Sequence, residues 1–250
     1  PLLREPVASV AAAAGSGARH AIVAPAAAQA AVATLAPGVE FVRDEGAGIY
    51  AALNRGARRV AGDWDALTWI NDDDRLAAGF PAVLAALRAR PETGVAYGRV
   101  GLIDGRGVRT GALPVARRGD DLPALLARGI VPLAQPGTVI SRAAWERGGG
   151  MDESYRLAGD LDFFVRALMT GVRFDFVDAE VAEFRLRAGQ LSKSQAEGDR
   201  EKARALVPLA EVRPAAAAAW RFRLGNLGVY AERVRRHGFV SMRDVYARTN

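Results

Sequence analysis

The sequence has no cysteine and only two histidines among its 250 residues. The absence of cysteine excludes disulfide bonds and thiolate metal sites, and it agrees with a reducing compartment. His20 and His237 lack a metal-ligand partner at useful spacing, so we assign neither a role. No apolar run approaches the roughly 18 residues that a membrane-spanning helix needs. We therefore expect a cytoplasmic protein, with a peripheral position at the inner membrane face left open.

Negative charge is sparse at the C-terminal end of the chain. Residues 201–250 contain ten Arg or Lys and four Asp or Glu, whereas residues 1–200 are neutral overall, so the net charge of +6 belongs to the tail. A basic amphipathic helix of this kind can lie on an anionic membrane, but we favour one that packs its apolar side chains on the domain and leaves arginine in solvent. Those side chains are Trp220, Leu224, Leu227 and Tyr230. We predict no nucleic-acid partner, because no recognised binding motif accompanies the charge.

Strands alternate with helices of roughly ten to fifteen residues over most of the chain. A helical stripe begins at Ile49, and residues 66–70 form a short apolar run of strand length. This alternation predicts a three-layer α/β/α sandwich with a mixed, mostly parallel sheet. We assign residues 1–195 to this α/β domain and residues 196–250 to a mostly helical, basic C-terminal extension.

An acidic turn, Asn71-Asp72-Asp73-Asp74, directly follows the strand predicted at residues 66–70. Consecutive carboxylates repel one another, so holding them together costs electrostatic free energy, and a bound divalent cation removes that cost. In parallel sheets ligands bind beyond the carboxyl ends of strands, which is where this turn is expected. The turn therefore predicts a site for a cation and a diphosphate. The open alternative is a solvated acidic loop with an Asx-turn or a helix cap.

Segments 48–56, 61–64 and 69–74 resemble the family-two glycosyltransferases with the GT-A fold. In these places that family has Gly-Ile-Tyr-Asp-Ala-Met-Asn-Lys-Gly, then Ala-x-Gly-Asp-Trp, then Leu-Asn-x-Asp-Asp. Further segments resemble the family in the same order, and the likeness covers roughly residues 5–195. Those segments are 135–138, 150–153, 159–166 and 184–192. Ordered matches at several places are more specific than any single motif.

The resemblance implies a donor site at the acidic turn. Asn71 and Asp73 occupy the two anchor positions of the family's metal motif, and Asp72 and Asp74 complete the diphosphate-binding set. Asp73 and Asp74 would hold the divalent cation, Mn²⁺ or Mg²⁺. The family often supplies a metal-binding histidine where this chain has Arg187. An arginine can neutralise a diphosphate directly, so Arg187 either takes part of the cation's role or marks a protein that has lost catalysis.

The resemblance also implies a catalytic base and an acceptor site. Asp160 matches the family's base, which takes a proton from an acceptor hydroxyl, and it is also a candidate helix N-cap. Trp145, Gly149 and Gly150 lie where such enzymes contact the acceptor, although a buried aromatic is the commoner explanation for the tryptophan. Arg185 is expected to be an ordinary exposed strand residue.

The chain departs from the family at several positions. We find no first strand ending in a Pro-x-Tyr-Asn turn, and residues 24–28 offer no carboxylate to read the nucleotide base. Gly46 and Ala51 stand where the family has aspartate. These losses leave a catalytically degenerate relative, which binds sugar or a partner, as the alternative to an enzyme.

The expected function is transfer of a sugar from a nucleotide-diphosphate donor to a hydroxyl acceptor, with inversion and metal assistance as the resemblance implies. The acceptor would be a glycan or a lipid-linked saccharide, as in polysaccharide biosynthesis for the cell envelope. A module that binds nucleic acid or membrane through the basic tail is a less favoured alternative.

Overall fold

The computed structural model describes residues 3–15, 17–60, 64–187 and 195–239. The α-helices of this part are α1 (Arg4–Ala14), α2 (Gln29–Leu35), α3 (Ile49–Arg59), α4 (Phe80–Ala89), α5 (Leu122–Leu126), α6 (Arg142–Arg147), α7 (Gly159–Met169), α8 (Gln195–Leu206), α9 (Ala216–Gly225) and α10 (Leu227–His237). Its strands are β1 (Ala21–Pro25), β2 (Glu40–Asp44), β3 (Ala66–Leu67), β4 (Arg75–Leu76), β5 (Thr93–Ile103), β6 (Arg109–Ala112), β7 (Thr138–Ser141) and β8 (Arg173–Arg185). None of the helices in these ranges combines the length and apolar character needed to cross a bilayer.

The main sheet has six strands, and its centre is the long parallel pair of β5 and β8. The strand order is β3-β7-β5-β8-β4, and a hairpin adds β6 beside β5. β1 and β2 form a separate parallel pair. The sheet is mixed, as predicted, with less parallel pairing than predicted, since β3–β7, β5–β7, β5–β6 and β4–β8 are antiparallel. The turn at residues 104–107 shows the reason, because a short connection without a crossover helix makes its two strands antiparallel.

Helices cover both faces of the main sheet. In β5, Val95 and Tyr97 belong to one core, and Ala96 between them belongs to the other. The first core includes side chains of α3, α5, α6, α7 and α9, and the second includes those of α1 and α4. This alternation is the period of two that a strand buried on both faces shows. The predicted three-layer α/β class is confirmed.

Two regions beside the acidic turn differ from the sequence prediction. The strand predicted over residues 66–70 pairs only at its first two residues, and the two-residue strand β4 after the turn was not predicted. Segments 172–177 and 181–186 are two apolar runs separated by a polar break, a pattern that predicts two strands, but they form the single strand β8. Its register against β5 shifts between Tyr97 and Val100, which lets the strand continue through the break in its apolar pattern.

The C-terminal helices contact the α/β part at defined points. Arg221 on α9 pairs with Asp121, with 2.9 Å between Nε and Oδ2. Between α9 and α10, the buried Asn226 bonds to the backbone N–H and carbonyl of Val115 at 3.0 and 2.9 Å. The junction of the two helices is therefore fixed to the loop after β6. The domain boundary assigned at residue 195 stays a prediction.

The face of α9 that is buried is not the one that the sequence led us to expect. Trp220, Leu224 and Leu227 are 61%, 60% and 59% exposed, and Tyr230 is only partly covered. The prediction that these side chains pack on the domain is wrong, because α9 buries its opposite face. That face consists of Ala218, Ala219 and Phe222.

Candidate functional site

The acidic turn is a hydrogen-bonded loop at the carboxyl end of β8. The Asp74 backbone N–H donates to the Asn71 carbonyl oxygen at 3.3 Å, and the Asn71 side-chain amide donates to Asp74 Oδ2 at 3.2 Å. The other oxygen of Asp74 accepts the backbone N–H of Arg185 at 2.9 Å. Asp73 and Asp74 are buried, whereas Asp72 is exposed. The turn is therefore an integral part of the fold, and a strand rather than a helix follows it.

Burial changes the protonation of Asp74. Its side chain has no exposed surface, and this desolvation raises the pKa of Asp74 to about 7. The Arg185 N–H opposes the rise, and the negative charge of Asp73 adds to it. Both oxygens of Asp74 accept hydrogen bonds from within the protein, so this side chain stabilises the conformation of the turn.

Arg187 neutralises Asp73. Its Nε donates to Asp73 Oδ2 at 2.5 Å, and its Nη2 lies 3.7 Å from Asp72 Oδ1. The hydrogen bond to Asp73 is the main reason that the pKa of Arg187 is raised. The Arg187 side chain is 37% exposed, against 5% for Asp73. A positive charge is therefore presented to solvent above a buried acidic group.

Arg185 is 1% exposed, so the expectation of an exposed strand residue is wrong. Its side chain turns into a set of acceptors at the carboxyl ends of β5 and β8. Nε donates to the Asp73 carbonyl oxygen at 2.7 Å, Nη1 donates to the Asp104 carbonyl oxygen at 3.2 Å, and Nη2 bonds to the Glu5 carboxylate of α1. A buried arginine is retained only where partners satisfy it. Arg185 thus joins α1, the acidic turn and the hairpin after β5, a role that the sequence did not reveal.

The donor atoms of the acidic turn fit a divalent cation only in part. Asp73 Oδ2 is paired with Arg187, and both oxygens of Asp74 bond within the protein. In the part of the chain that the structure describes, no group of three or more His, Cys, Asp or Glu is arranged to hold a metal. Mg²⁺ is commonly held by one or two carboxylates together with substrate phosphates. Asp73 and the exposed Asp72 are the ligands that the turn can offer, and Asp74 does not fit that role.

Asp160 lies half-buried in the first turn of α7. Its Oδ1 accepts the backbone N–H of Leu161 at 2.8 Å, and Tyr50 of α3 contributes a side-chain hydrogen bond. Ala158 is the N-cap of α7, so the alternative that Asp160 is the cap is wrong. Burial raises the pKa of Asp160, and these hydrogen bonds offset only part of the rise. A carboxylate with a raised pKa accepts a proton more readily, which is the property of a general base.

Two contacts hold the start of α7 in place. The Tyr50 ring packs on Gly159, where an added Cβ would lie 2.7 Å from the ring. Glu201 of α8 accepts three backbone N–H groups of the preceding turn at 2.9, 2.8 and 2.9 Å. The three donors are Arg156, Leu157 and Ala158. Burial alone would raise the pKa of Glu201, but these N–H groups outweigh it and hold the pKa below its ordinary value.

The glycine turn predicted to contact the acceptor is fixed by side chains of two helices. Gly149 and Gly150 have φ of +72° and +70°, a conformation that favours glycine. Asn54 of α3 accepts the Met151 N–H and donates to the Met151 carbonyl oxygen, both at 2.9 Å. Arg166 of α7 donates to the Gly150 carbonyl oxygen at 2.9 Å. The turn is thus rigidly attached to the same helices that surround Asp160.

Trp145 is a packing residue beside this turn. Its ring lies 5.4 Å from the Phe163 ring, centroid to centroid, at an interplanar angle of 36°. A Cβ added at Gly150 would lie 3.5 Å from the indole. Trp145 therefore packs against the core. Its contact with an acceptor stays a prediction.

Helix α3 connects the base to the glycine turn. Tyr50 and Asn54 are four residues apart, so they lie on one face of the helix, about 6 Å apart along its axis. Tyr50 contacts the start of α7 beside Asp160, and Asn54 holds the glycine turn. The predicted base and the predicted acceptor turn are therefore neighbours.

The acidic turn and Asp160 lie toward the same end of the sheet. Asp73 and Asp74 contact Arg185, where β8 ends. α7 joins β8 by a tight turn at residues 170–172, so the first residues of α7 lie toward the end of the sheet where β8 finishes. This is the end at which α/β sheets bind ligands. Motif residues 61–63 and 188–192 lie outside the described residues.

Comparison with known proteins shows a shared fold. No family model matches the chain, and no curated protein matches it either. Among solved structures it matches S. aureus TarS with a TM-score of 0.57 and 13% identity, over 99% of this chain and 43% of that one. It also matches TarS 1-349 in complex with UDP-GlcNAc, with a TM-score of 0.54 and 13% identity over 86% of this chain and 69% of that one. For TarS 1-349 in complex with UDP, the TM-score is 0.55 and the identity 14%, over 97% of this chain and 72% of that one.

These values support the α/β fold class and no more than that. The chain spans less than half the length of the first TarS chain, and every identity is far below the level at which a common activity follows. What this chain binds is therefore argued from its own residues.

Proposed function

We propose that this protein is a nucleotide-sugar-dependent glycosyltransferase, which transfers a sugar with inversion to a hydroxyl of a glycan or lipid-linked acceptor. The observation that carries the proposal is an acidic turn at the carboxyl end of β8, paired with Arg187, together with a separate carboxylate, Asp160, in the first turn of α7. The fold shared with TarS, whose structures contain UDP-GlcNAc or UDP, supports the donor class.

Asp160 is the proton acceptor of the proposed reaction. The acceptor oxygen forms a bond to the anomeric carbon while the bond from that carbon to the diphosphate oxygen breaks, and the electron pair leaves with the nucleotide diphosphate. Attack from the opposite face inverts the configuration. The hydroxyl proton passes to Asp160, whose raised pKa favours that transfer.

Positive charge at the acidic turn stabilises the departing diphosphate. Arg187, whose side chain is 37% exposed, would contribute positive charge to the phosphate oxygens. Asp73 orients that guanidinium through Nε, and Asp74 and Asn71 hold the turn. A divalent cation held by Asp72 and Asp73 would add Lewis-acid stabilisation of the same oxygens.

Calorimetric titration tests the donor site. We expect UDP or GDP to bind, more tightly with Mn²⁺ present, and Asp73→Asn to weaken binding about tenfold or more because Arg187 loses its anchor. A panel of nucleotide sugars, incubated with Mn²⁺ and mixed hydroxyl acceptors, should then identify a donor that is consumed. If neither diphosphate binds and no donor of the panel is consumed, the proposal is abandoned.

A catalytically degenerate relative that binds sugar or a partner is the second candidate. The short 3-10 helix Ala26–Ala28 favours it, since this segment follows β1 and offers no carboxylate to a nucleotide base. This candidate predicts no turnover of any nucleotide-sugar donor. Turnover that disappears in Asp160→Asn, with binding retained, would exclude it.

A further inference from the structure

The outer side of α9 and α10 is apolar and takes no part in the proposed reaction. Trp220 and Leu224 are four residues apart on α9, and Leu227 and Ala231 are four residues apart on α10. Residues at this spacing share a helix face, and all four are exposed. We call Trp220, Leu224, Leu227 and Ala231 the outer stripe.

Contacts of Asn226 and Arg221 attach the α9 half of the outer stripe to the protein. Asn226, between its two halves, is 1% exposed and bonds to Val115 and to the Phe222 carbonyl oxygen, the latter at 2.7 Å. Arg221 on the neighbouring face of α9 pairs with Asp121. These contacts fix α9 and its junction with α10, so the exposure of Trp220 and Leu224 does not result from a loosely attached helix.

Basic side chains border the outer stripe. The guanidinium carbon of Arg223 lies 5.9 Å from the Trp220 ring centroid, and Arg235, on the next turn after Ala231, is exposed. Glu232 is the one acidic residue within α9 and α10, and it is paired with Arg236 at 2.9 Å. No acidic side chain of these two helices therefore balances the charge beside the stripe.

We propose that the outer stripe docks on an anionic lipid surface. Exposed Trp and Leu side chains would enter the boundary between headgroups and acyl chains, while the bordering arginines keep their charged ends at the phosphates. Each basic residue near such a surface adds attraction. A two-fold contact between copies of this chain would instead bring the same arginines of both copies together, which like-charge repulsion disfavours. The proposal does not depend on sugar transfer.

Vesicle co-sedimentation of the full chain tests the proposal. We expect binding to vesicles of mixed phosphatidylglycerol and phosphatidylcholine, and much weaker binding to pure phosphatidylcholine. For the triple variant Trp220→Ser/Leu224→Ser/Leu227→Ser, the partition coefficient into the mixed vesicles should fall by a factor of about ten or more. The control Val108→Ser/Met169→Ser removes two side chains that are 59% and 53% exposed elsewhere, and it should bind like the unmodified protein.

Charge and self-association complete the test. Arg223→Gln/Arg235→Gln should weaken binding to the mixed vesicles about 25-fold, by about fivefold for each arginine. Added salt should weaken the binding of the unmodified protein. Equal vesicle binding by the triple variant and the unmodified protein overturns the proposal, and so does equal binding to both lipid compositions. Sedimentation velocity tests the alternative that a second copy of this chain binds the outer stripe. If the full chain forms oligomers that the triple variant lacks, and does not bind vesicles, the outer stripe joins copies of this chain and the lipid proposal is overturned.

Discussion

The acidic turn and Asp160 are two carboxylate sites toward one end of one sheet, and their partners differ. At the turn the partners of Asp73 are arginines: Arg187 bonds to the Asp73 carboxylate, and Arg185 bonds to the Asp73 carbonyl oxygen. At Asp160 the hydrogen bonds come from neutral donors, the Leu161 N–H and the Tyr50 side chain. Burial raises the pKa of a carboxylate at each site, Asp74 in the turn and Asp160 at the start of α7. The turn differs in that both oxygens of Asp74 bond inside the protein and its neighbour Asp73 is paired with an arginine.

This difference separates binding from proton transfer. A carboxylate paired with arginine stays charged and positions its partner, so it suits the recognition of an anion through that partner. A carboxylate with a raised pKa can exchange a proton at a pH closer to neutrality, so it suits acid–base chemistry. The proposed function accordingly places donor recognition at the acidic turn and proton transfer at the start of α7.

The largest expected effect is at Asp160. Asp160→Asn removes the proton acceptor and keeps the size of the side chain, so kcat should fall about 10²- to 10⁴-fold. The affinity for UDP, measured by calorimetry, should stay unchanged because the acidic turn is intact. A comparable loss of diphosphate affinity in this variant would mean that the two sites are not separate.

The pH profile sharpens the same comparison. Because a protonated Asp160 cannot accept a proton, kcat/KM of the unmodified enzyme should fall as the pH drops through the pKa of Asp160. Since burial raises that pKa, the fall should occur above 3.8, the ordinary value for aspartate. The residual activity of Asp160→Asn should lack this acid limb, and a limb of the same shape in the variant would point to another base.

The sequence predicts a site at the acidic turn and at Asp160, but it does not reveal the buried arginine, Arg185, that bonds to the turn. Three consecutive aspartates after a strand stand out against any background, and the helix around Asp160 carries a strong motif. Arg185 carries no such signal, because solvent is the usual place for an arginine on a strand. Its burial depends on acceptors from Glu5 and Asp104, which are distant in sequence.

Arg185→Met should give the largest loss of stability. The change leaves Glu5, the Asp73 carbonyl and the Asp104 carbonyl without their buried partner, so the free energy of unfolding should fall by about 3 kcal/mol or more. Urea unfolding followed by circular dichroism measures it. The control is Arg99→Gln on β5, whose exposed pair with Asp178 should be worth less than about 1 kcal/mol. Equal losses in the two variants would show that burial of Arg185 is not decisive.

The prediction for the tail failed for a different reason. Helix α9 has apolar residues on both faces, with Ala218 and Phe222 on one and Trp220 and Leu224 on the other. A periodic pattern with two apolar faces cannot indicate which one is buried. The helix α7 is predictable because glycines bound a sustained apolar period, whereas the polar break inside β8 divides it into two apparent strands and the two-residue strand β4 is too short to show a period.

A smaller effect is expected at Gly159, which brings Tyr50 against the start of α7. Gly159→Ala places a methyl group 2.7 Å from the Tyr50 ring, so repacking should cost about 1 to 3 kcal/mol of unfolding free energy. The matched control is Gly228→Ala on α10, where an added Cβ has no neighbour within 4 Å and helix propensity should leave stability unchanged or slightly higher. If Gly159→Ala is as harmless as the control, the Tyr50 contact does not position Asp160.

The smallest effect, and the one that depends on pH, is expected at Glu201. Its folded-state pKa lies below the ordinary value of 4.5, so the stability that its charge contributes is fully present above that pH and is lost as the pH falls through the folded-state value. Glu201→Gln should therefore lower the unfolding free energy by about 1 kcal/mol near neutrality, a modest figure because the group is partly exposed. The difference between the two proteins should be smaller in urea titrations at an acidic pH below 4.5 than near neutrality, because the charge of Glu201 is lost as the pH falls through its lowered pKa. Glu197→Gln, on the same helix but paired only with Arg156 at 3.7 Å, should show almost no difference at either pH. A loss for Glu201→Gln that is the same at both pH values would mean that Glu201 supports the start of α7 by packing and not by its charge.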